Sequence, residues 1–98
     1  MWPVDATEEY LQWFAAQPAG VQEVILAKVL LLEEGSRIKN LKELRAKTEA
    51  HVLRVLYFFD ERRHALLLVG GDKKGKNERG FYKKLIGEAE ALLERLRP

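Results

Sequence analysis

The chain has 98 residues, 47% hydrophobic and 33% charged, with no cysteine and a net charge of +2. That length suits one domain, residues 1–98, with a modest core. The composition excludes disulfides, thiolate metal sites and any bilayer-spanning run, and MWPVDATEEY lacks a secretory pattern, so a cytoplasmic protein with no membrane partner is expected.

Trp2 to Val4 is short and apolar and reads as a first edge strand. Asp5 and Glu8 have the spacing of a capping box, and Tyr10, Leu11 and Phe14 follow at helical spacing. The helix should stop near Gln17, because the residue before Pro18 is pushed out of the helical region. Pro18 fits the first turn of a second helix, with Val21, Val24, Ile25, Val29 and Leu32 as its apolar stripe and Gly35 as its stop. Together the two helices form an antiparallel hairpin.

After Gly35 the period changes. Leu41 to Lys47 alternates, with Lys42, Leu44 and Ala46 on one face and Leu41, Glu43, Arg45 and Lys47 on the other. Val52 to Phe59 is apolar, β-branched and aromatic except for Arg54, and Ala65 to Val69 is a second apolar run. Both read as central strands of an antiparallel meander, with Asp60 to Arg63 as a polar turn. The loop from Gly70 to Asn77 is rich in glycine and lysine, and Asn77 suits the cap of a last helix carrying Phe81, Leu85, Ala89, Leu92, Leu93 and Leu96 as its stripe. The order of elements gives an α+β domain with the helices packed on one side of the sheet.

Charge is distributed unevenly. Residues 1–35 hold one base and six acids, residues 36–84 hold 14 bases and six acids, and residues 85–98 hold two bases and three acids. This suits either one face that meets a polyanion or a solvated basic surface. Arg54 is the most informative residue, since a charge inside an apolar strand must be paired or solvated. Its guanidinium either grips a phosphate from the open face of the sheet or pairs with Glu43 or Glu49 on the neighbouring strand. Arg45 is a second phosphate ligand if it shares that face, and a plain solvent residue otherwise. The stretch Gly71-Asp72-Lys73-Lys74-Gly75-Lys76 suits a phosphate chain or a flexible charged turn, and lacks the Walker spacing. Tyr82 borders the apolar stripe of the last helix, so it is either a core tyrosine or one whose hydroxyl reaches the mouth of the loop. His51 and His64 stand alone, and no metal site or cofactor is expected.

Leu41-Lys42-Glu43-Leu44-Arg45, Leu53 to Asp60, Leu66 to Lys73 and Phe81-Tyr82 resemble, in order and spacing, the RelE/HigB superfamily, most of all its phage Gp49-like, HigB-type branch. The resemblance covers about residues 41–83. It implies a RelE-like fold: an N-terminal strand and helical hairpin, an antiparallel sheet, and a C-terminal helix packed on the sheet. It also implies the toxin of a type II toxin–antitoxin pair, a metal-independent, ribosome-dependent mRNA endoribonuclease acting in the ribosomal A site. The implied partner is a cognate antitoxin, typically a helix-turn-helix DNA-binding protein. Arg45, Arg54, Lys73 and Tyr82 would be catalytic, and Lys42, Lys47, Lys74, Lys76, Arg79 and Lys83 would contact RNA. The ParE branch, which inhibits DNA gyrase without cutting RNA, is the alternative.

Overall fold

The structure, a computed structural model, describes residues 3–32, 37–38, 41–59 and 64–96. Its elements run β1 (Val4–Ala6), α1 (Glu8–Ala15), α2 (Ala19–Leu30), β2 (Arg37–Ile38), β3 (Leu41–Lys47), β4 (Val52–Phe59), β5 (Ala65–Asp72) and α3 (Glu78–Leu96). They build a five-stranded sheet in the order β1-β5-β4-β3-β2. β3, β4 and β5 form the expected antiparallel meander, whereas β1 joins β5 in parallel, so the sheet is mixed. β2 is an additional short strand on the β3 edge. Trp2, Gly35 and the turn from Asp60 to Arg63 lie outside the described residues.

Helices cover both faces of the sheet, which corrects the one-sided packing expected from the element order. The hairpin side buries Tyr10, Val21, Ile25 and Leu32 against Leu44, Ala46, Leu53, Val55, Tyr57 and Leu67. The opposite side buries Leu85, Ala89 and Leu92 of α3 against Leu41, Leu56, Leu68 and Val69. The physical reason lies in β4. Leu53, Val55 and Tyr57 point one way and Leu56 the other, all of them buried, and a strand apolar on both faces must be covered on both.

A β-bulge makes the faces of β5 change over. Leu56 pairs with Val69 but Tyr57 pairs with Leu67, which leaves Leu68 as the extra residue. Beyond the bulge the parity of β5 is reversed, because side chains alternate with a period of two. Gly70 therefore lies beneath Trp13 of α1, and Gly71 beneath Phe81 of α3. A methyl on Gly70 would fall inside the Trp13 ring, and one on Gly71 would come within 2.9 Å of Phe81. These close approaches carry β5 through both glycines to Asp72, three residues past the expected end at Val69.

Two helix boundaries also differ from expectation. The cap of α1 is Thr7, not Asp5, because Asp5 is taken up in β1 opposite Leu66. The Thr7 hydroxyl accepts from the Tyr10 N–H at 3.0 Å and donates to the Leu68 carbonyl at 2.6 Å, so one side chain joins helix to bulge. α2 starts one residue after Pro18 and ends at Leu30, with Leu31 as its C-cap. Among the described residues no helix is long and apolar enough to cross a membrane.

Thr7→Val keeps the shape of the side chain but removes both hydrogen bonds and strands a buried carbonyl. It should cost ~1–3 kcal/mol in urea denaturation, whereas Asp5→Ala should cost less than ~0.5 kcal/mol. Equal costs would return the cap to Asp5. Gly70→Ala should cost ~1–3 kcal/mol by overpacking and recover in part when Trp13 is shortened to leucine.

Candidate active site

The α3 face of the sheet carries the site. Arg45 and Arg54 are direct partners in the β3–β4 register, and Gly71 stands opposite Arg54 on β5. Arg54 is buried, 8% exposed. This overturns the open-face placement and meets the paired alternative: Nε lies 4.0 Å from Glu43 Oε2, while Glu49 sits out in the exposed β3–β4 turn. The same Nε donates to the Tyr82 hydroxyl at 2.9 Å, and Nη1 donates to the Leu53 carbonyl at 2.8 Å. A guanidinium with all these contacts is positioned before any ligand arrives.

Glu43 is the residue that sequence reasoning named only as a possible ion partner. Its side chain is 3% exposed. Oε1 accepts from Arg45 Nε, while Oε2 has no hydrogen-bond partner among the described residues. A buried carboxylate oxygen without a donor is costly and calls for an explanation. The available signal was the Glu43/Arg45 alternation on one face; the cross-strand register and the helix that cover it could not be read from the chain.

Tyr82 lies on the first turns of α3, edge-on to Phe81 with ring centroids 5.4 Å apart. Burial pushes its phenol pKa up, and the neighbouring Glu43 carboxylate adds to this, with Arg54 pulling partly back. The phenol therefore holds its proton at neutral pH and suits a donor's role more than an acceptor's. Lys73 follows β5; its Nζ lies 5.9 Å from the Tyr82 ring centroid and donates to Glu78 Oε1 at 2.9 Å. Arg45, Arg54, Lys73 and Tyr82 thus come together, joined by Glu43 and Glu78.

The proposed RNA contacts are spread more widely. Lys42 is not brought to the site: alternation turns it to the hairpin side, buried with Nζ 5.4 Å from the Phe59 ring centroid. Lys47 is exposed at the end of β3, two positions from Arg45 on the same strand face, beside a groove of 390 Å³ that Lys28, Arg45 and Arg54 also line. Lys74 Nζ donates to the Glu49 carbonyl at 2.7 Å, and Lys76 Nζ lies 5.9 Å from the Phe81 ring centroid. Arg79 and Lys83 are exposed on α3. Among the described residues no three His, Asp or Glu side chains gather as a metal-ligand set.

The Lys73 loop is anchored by Asp72. Its Oδ2 accepts from His51 Nδ1 at 2.6 Å, and its Oδ1 accepts from the Val52 and Lys74 N–H groups, each at 3.0 Å. His51 is therefore paired and does not stand alone. The turn then uses Gly75 at φ +75°, a left-handed conformation that favours glycine, and Asn77 caps α3 by accepting from the Gly80 N–H at 2.9 Å.

The sequence profile of a family described as "Phage derived protein Gp49-like" matches residues 12–94. The chain belongs to the Gp49-like family. This Gp49-like chain is also 29% identical over 110 residues to HigB2 of Mycobacterium tuberculosis, a protein named as a candidate toxin. That alignment takes in 97% of the chain and 54% of the relative, so the chain spans about half the length of the curated relative it matches. In fold it is similar to a mutant of the Escherichia coli toxin RelE in the free state, with a TM-score of 0.68 at 14% identity over 98% of both chains. It is likewise similar to a chain of the intact Escherichia coli RelBE toxin–antitoxin complex, with a TM-score of 0.60 at 14% identity over 72% of this chain and 95% of that one. At such identities the likeness speaks to the α+β fold of the Gp49-like chain.

Burial pushes the Asp72 carboxyl up, but the hydrogen bonds from His51, Lys74 and Val52 outweigh it and hold the pKa below the ordinary value of 3.8. A depressed folded pKa contributes stability above the unfolded value and loses it as pH falls through the folded one. Asp72→Asn should therefore be less stable than the parent at pH 7 and converge with it below about pH 4. Urea midpoints measured across pH check this; parallel curves would mean that Asp72 carries no ionic contribution.

Proposed function

We propose that this chain is the toxin of a type II toxin–antitoxin pair and cuts mRNA in the ribosomal A site without a metal. The single observation that carries the reading is the constellation of the buried Glu43 and Arg54 side chains with the half-buried Tyr82, in which a fixed guanidinium donates to a protonated phenol and lies 4.0 Å from a carboxylate oxygen. A surface built only to dock on a protein such as gyrase has no use for such a set.

The chemistry follows from the charges. The 2′-hydroxyl attacks the adjacent phosphate, the 5′-oxygen of the next nucleotide leaves, and a 2′,3′-cyclic phosphate remains. Oε2 of Glu43 has no access to solvent in the free protein, so it becomes the acceptor of the 2′-hydroxyl proton only when the side chains covering it part for the RNA, and the Tyr82 phenol donates to the leaving oxygen. Arg45, Arg54 and Lys73 surround the phosphorane, on which negative charge grows. Proton transfer to Glu43 removes one negative charge from the site as the phosphorane gains one, so the field of the three cations is released when it is needed. Lys47, Lys74, Lys76, Arg79 and Lys83 contribute longer-range attraction for RNA. A cognate antitoxin of the helix-turn-helix type is the proposed protein partner.

The test is cleavage of a programmed ribosome complex by purified protein. Glu43→Gln should lower the rate ~10²–10⁴-fold. Arg54→Ala should lower it ~10²–10³-fold. Tyr82→Phe keeps the ring and should still lose rate if the phenol donates a proton. Cleavage should persist with excess EDTA when magnesium for the ribosome is matched. Because Arg54→Ala also strands buried Glu43, at a cost of ~3–5 kcal/mol, each variant is checked for folding first. Full activity in a folded Glu43→Gln variant would refute the proton acceptor, and loss of activity in EDTA despite matched magnesium would refute metal independence.

A further inference from the structure

The cation cluster already holds an anion of its own. Glu78 stands on the first turn of α3, with its side chain 68% exposed and its Oε1 2.9 Å from Lys73 Nζ. Lys73 connects through the Tyr82 ring to Arg54, and Arg54 stands opposite Arg45. Glu43 cannot leave this set, since it is buried between the strands. Glu78 can: its pair with Lys73 spans the turn at Gly75, its own side chain lies in solvent while that of Lys73 is half-buried, and the pair breaks by rotation of the Glu78 side chain alone. An exposed lysine–glutamate pair is weak and exchangeable.

We propose that Glu78 is a built-in competitor for the RNA phosphate, occupying Lys73 in the free protein and swinging out when a phosphate takes its place. The proposal rests on reading the cluster as a phosphate site. Lys73 holds the Glu78 carboxyl below the usual carboxylate range, and Arg45 and Arg54 add to this from further away, so the carboxylate sits in the field of the same three cations a phosphate would use. A phosphate offers more acceptor oxygens than the carboxylate and bridges cations that Glu78 engages singly. The competitor weakens every single-phosphate encounter by the same factor. Phosphate therefore occupies the site only where the rest of the RNA supplies enough affinity to offset that factor, so Glu78 sets a threshold for occupancy and leaves the ratio between RNAs unchanged.

The experiment has two probes. One is a fluorescein-labelled, single-stranded oligoribonucleotide with every 2′-hydroxyl methylated, which binds but cannot be cut. The other is inorganic sulfate, followed by NMR at the Lys73 side chain and the Tyr82 ring. Glu78→Gln should bind the oligonucleotide about two- to fivefold more tightly, most clearly at low salt. Glu88→Gln removes the same charge from an exposed position on the same helix and should leave affinity unchanged. In a Lys73→Met background the gain from Glu78→Gln should vanish. Sulfate should saturate the Lys73 signal at a lower concentration in Glu78→Gln than in the parent. Affinity unchanged or weakened in a folded Glu78→Gln variant, with no change in the sulfate titration, overturns the competitor. An equal gain in Glu88→Gln overturns it too, since net charge alone would then explain the effect. If sulfate displaces Glu78 but no oligonucleotide binds, the competitor stands and the RNA reading of the site falls.

Discussion

One constraint organises the α3 side of the molecule: a guanidinium lies inside a sheet. A charge on a central strand cannot remain there without partners, because desolvation opposes it. Arg54 is accommodated by a carboxylate on the next strand, a phenol on the covering helix, a carbonyl of its own strand and a glycine opposite it. Each partner restricts an element. Glu43 requires β3 in one register, Tyr82 requires α3 to start where it does, and Gly71 requires the parity of β5 to be reversed before it reaches Arg54. The positions of β3, β5 and α3 around the site are thus coupled through one side chain.

The bulge at Leu68 is the device that satisfies the last condition. Without it, Gly71 would face the helical hairpin and a different residue would stand across from Arg54. The same residue ties the opposite face, because its carbonyl takes the Thr7 hydroxyl at the head of α1. Two glycines in succession then let Trp13 and Phe81 approach the strand from opposite sides. A local irregularity in one strand therefore seats α1 below the sheet and α3 above it.

The site is cationic but nearly balanced: three bases stand against two carboxylates, and the carboxylates differ in kind. Glu43 is buried and immobile, whereas Glu78 is exposed and exchangeable. This difference in burial is what suits the first to the proton transfer proposed for it and the second to the exchange proposed for it. The Asp72 junction belongs to the same design, since it fixes the backbone that delivers Lys73.

Much of this was legible in the chain. β3 and β4 begin and end where alternation and β-branched runs say they should, the cap at Asn77 is where its spacing indicates, and the resemblance in four short motifs agrees with the family to which the chain belongs. These are local matters, decided by side-chain period, propensity and turn chemistry within a few residues. The chain also showed that Arg54 must find a partner. It did not show which one, because the choice between Glu43 and Glu49 depends on register, and register is set by contacts between segments. The cover on both faces of the sheet, the parallel entry of β1, the cap at Thr7 and the bulge are likewise products of packing. Lys42 makes the distinction plain: among basic residues it looks like an RNA contact, yet the alternation of its own strand, once the covered faces are known, buries it over Phe59. Sequence alone determined which residues carry charge and which segments are strands and helices; tertiary structure alone decided which charges meet, because that depends on distances across strands far apart in the chain.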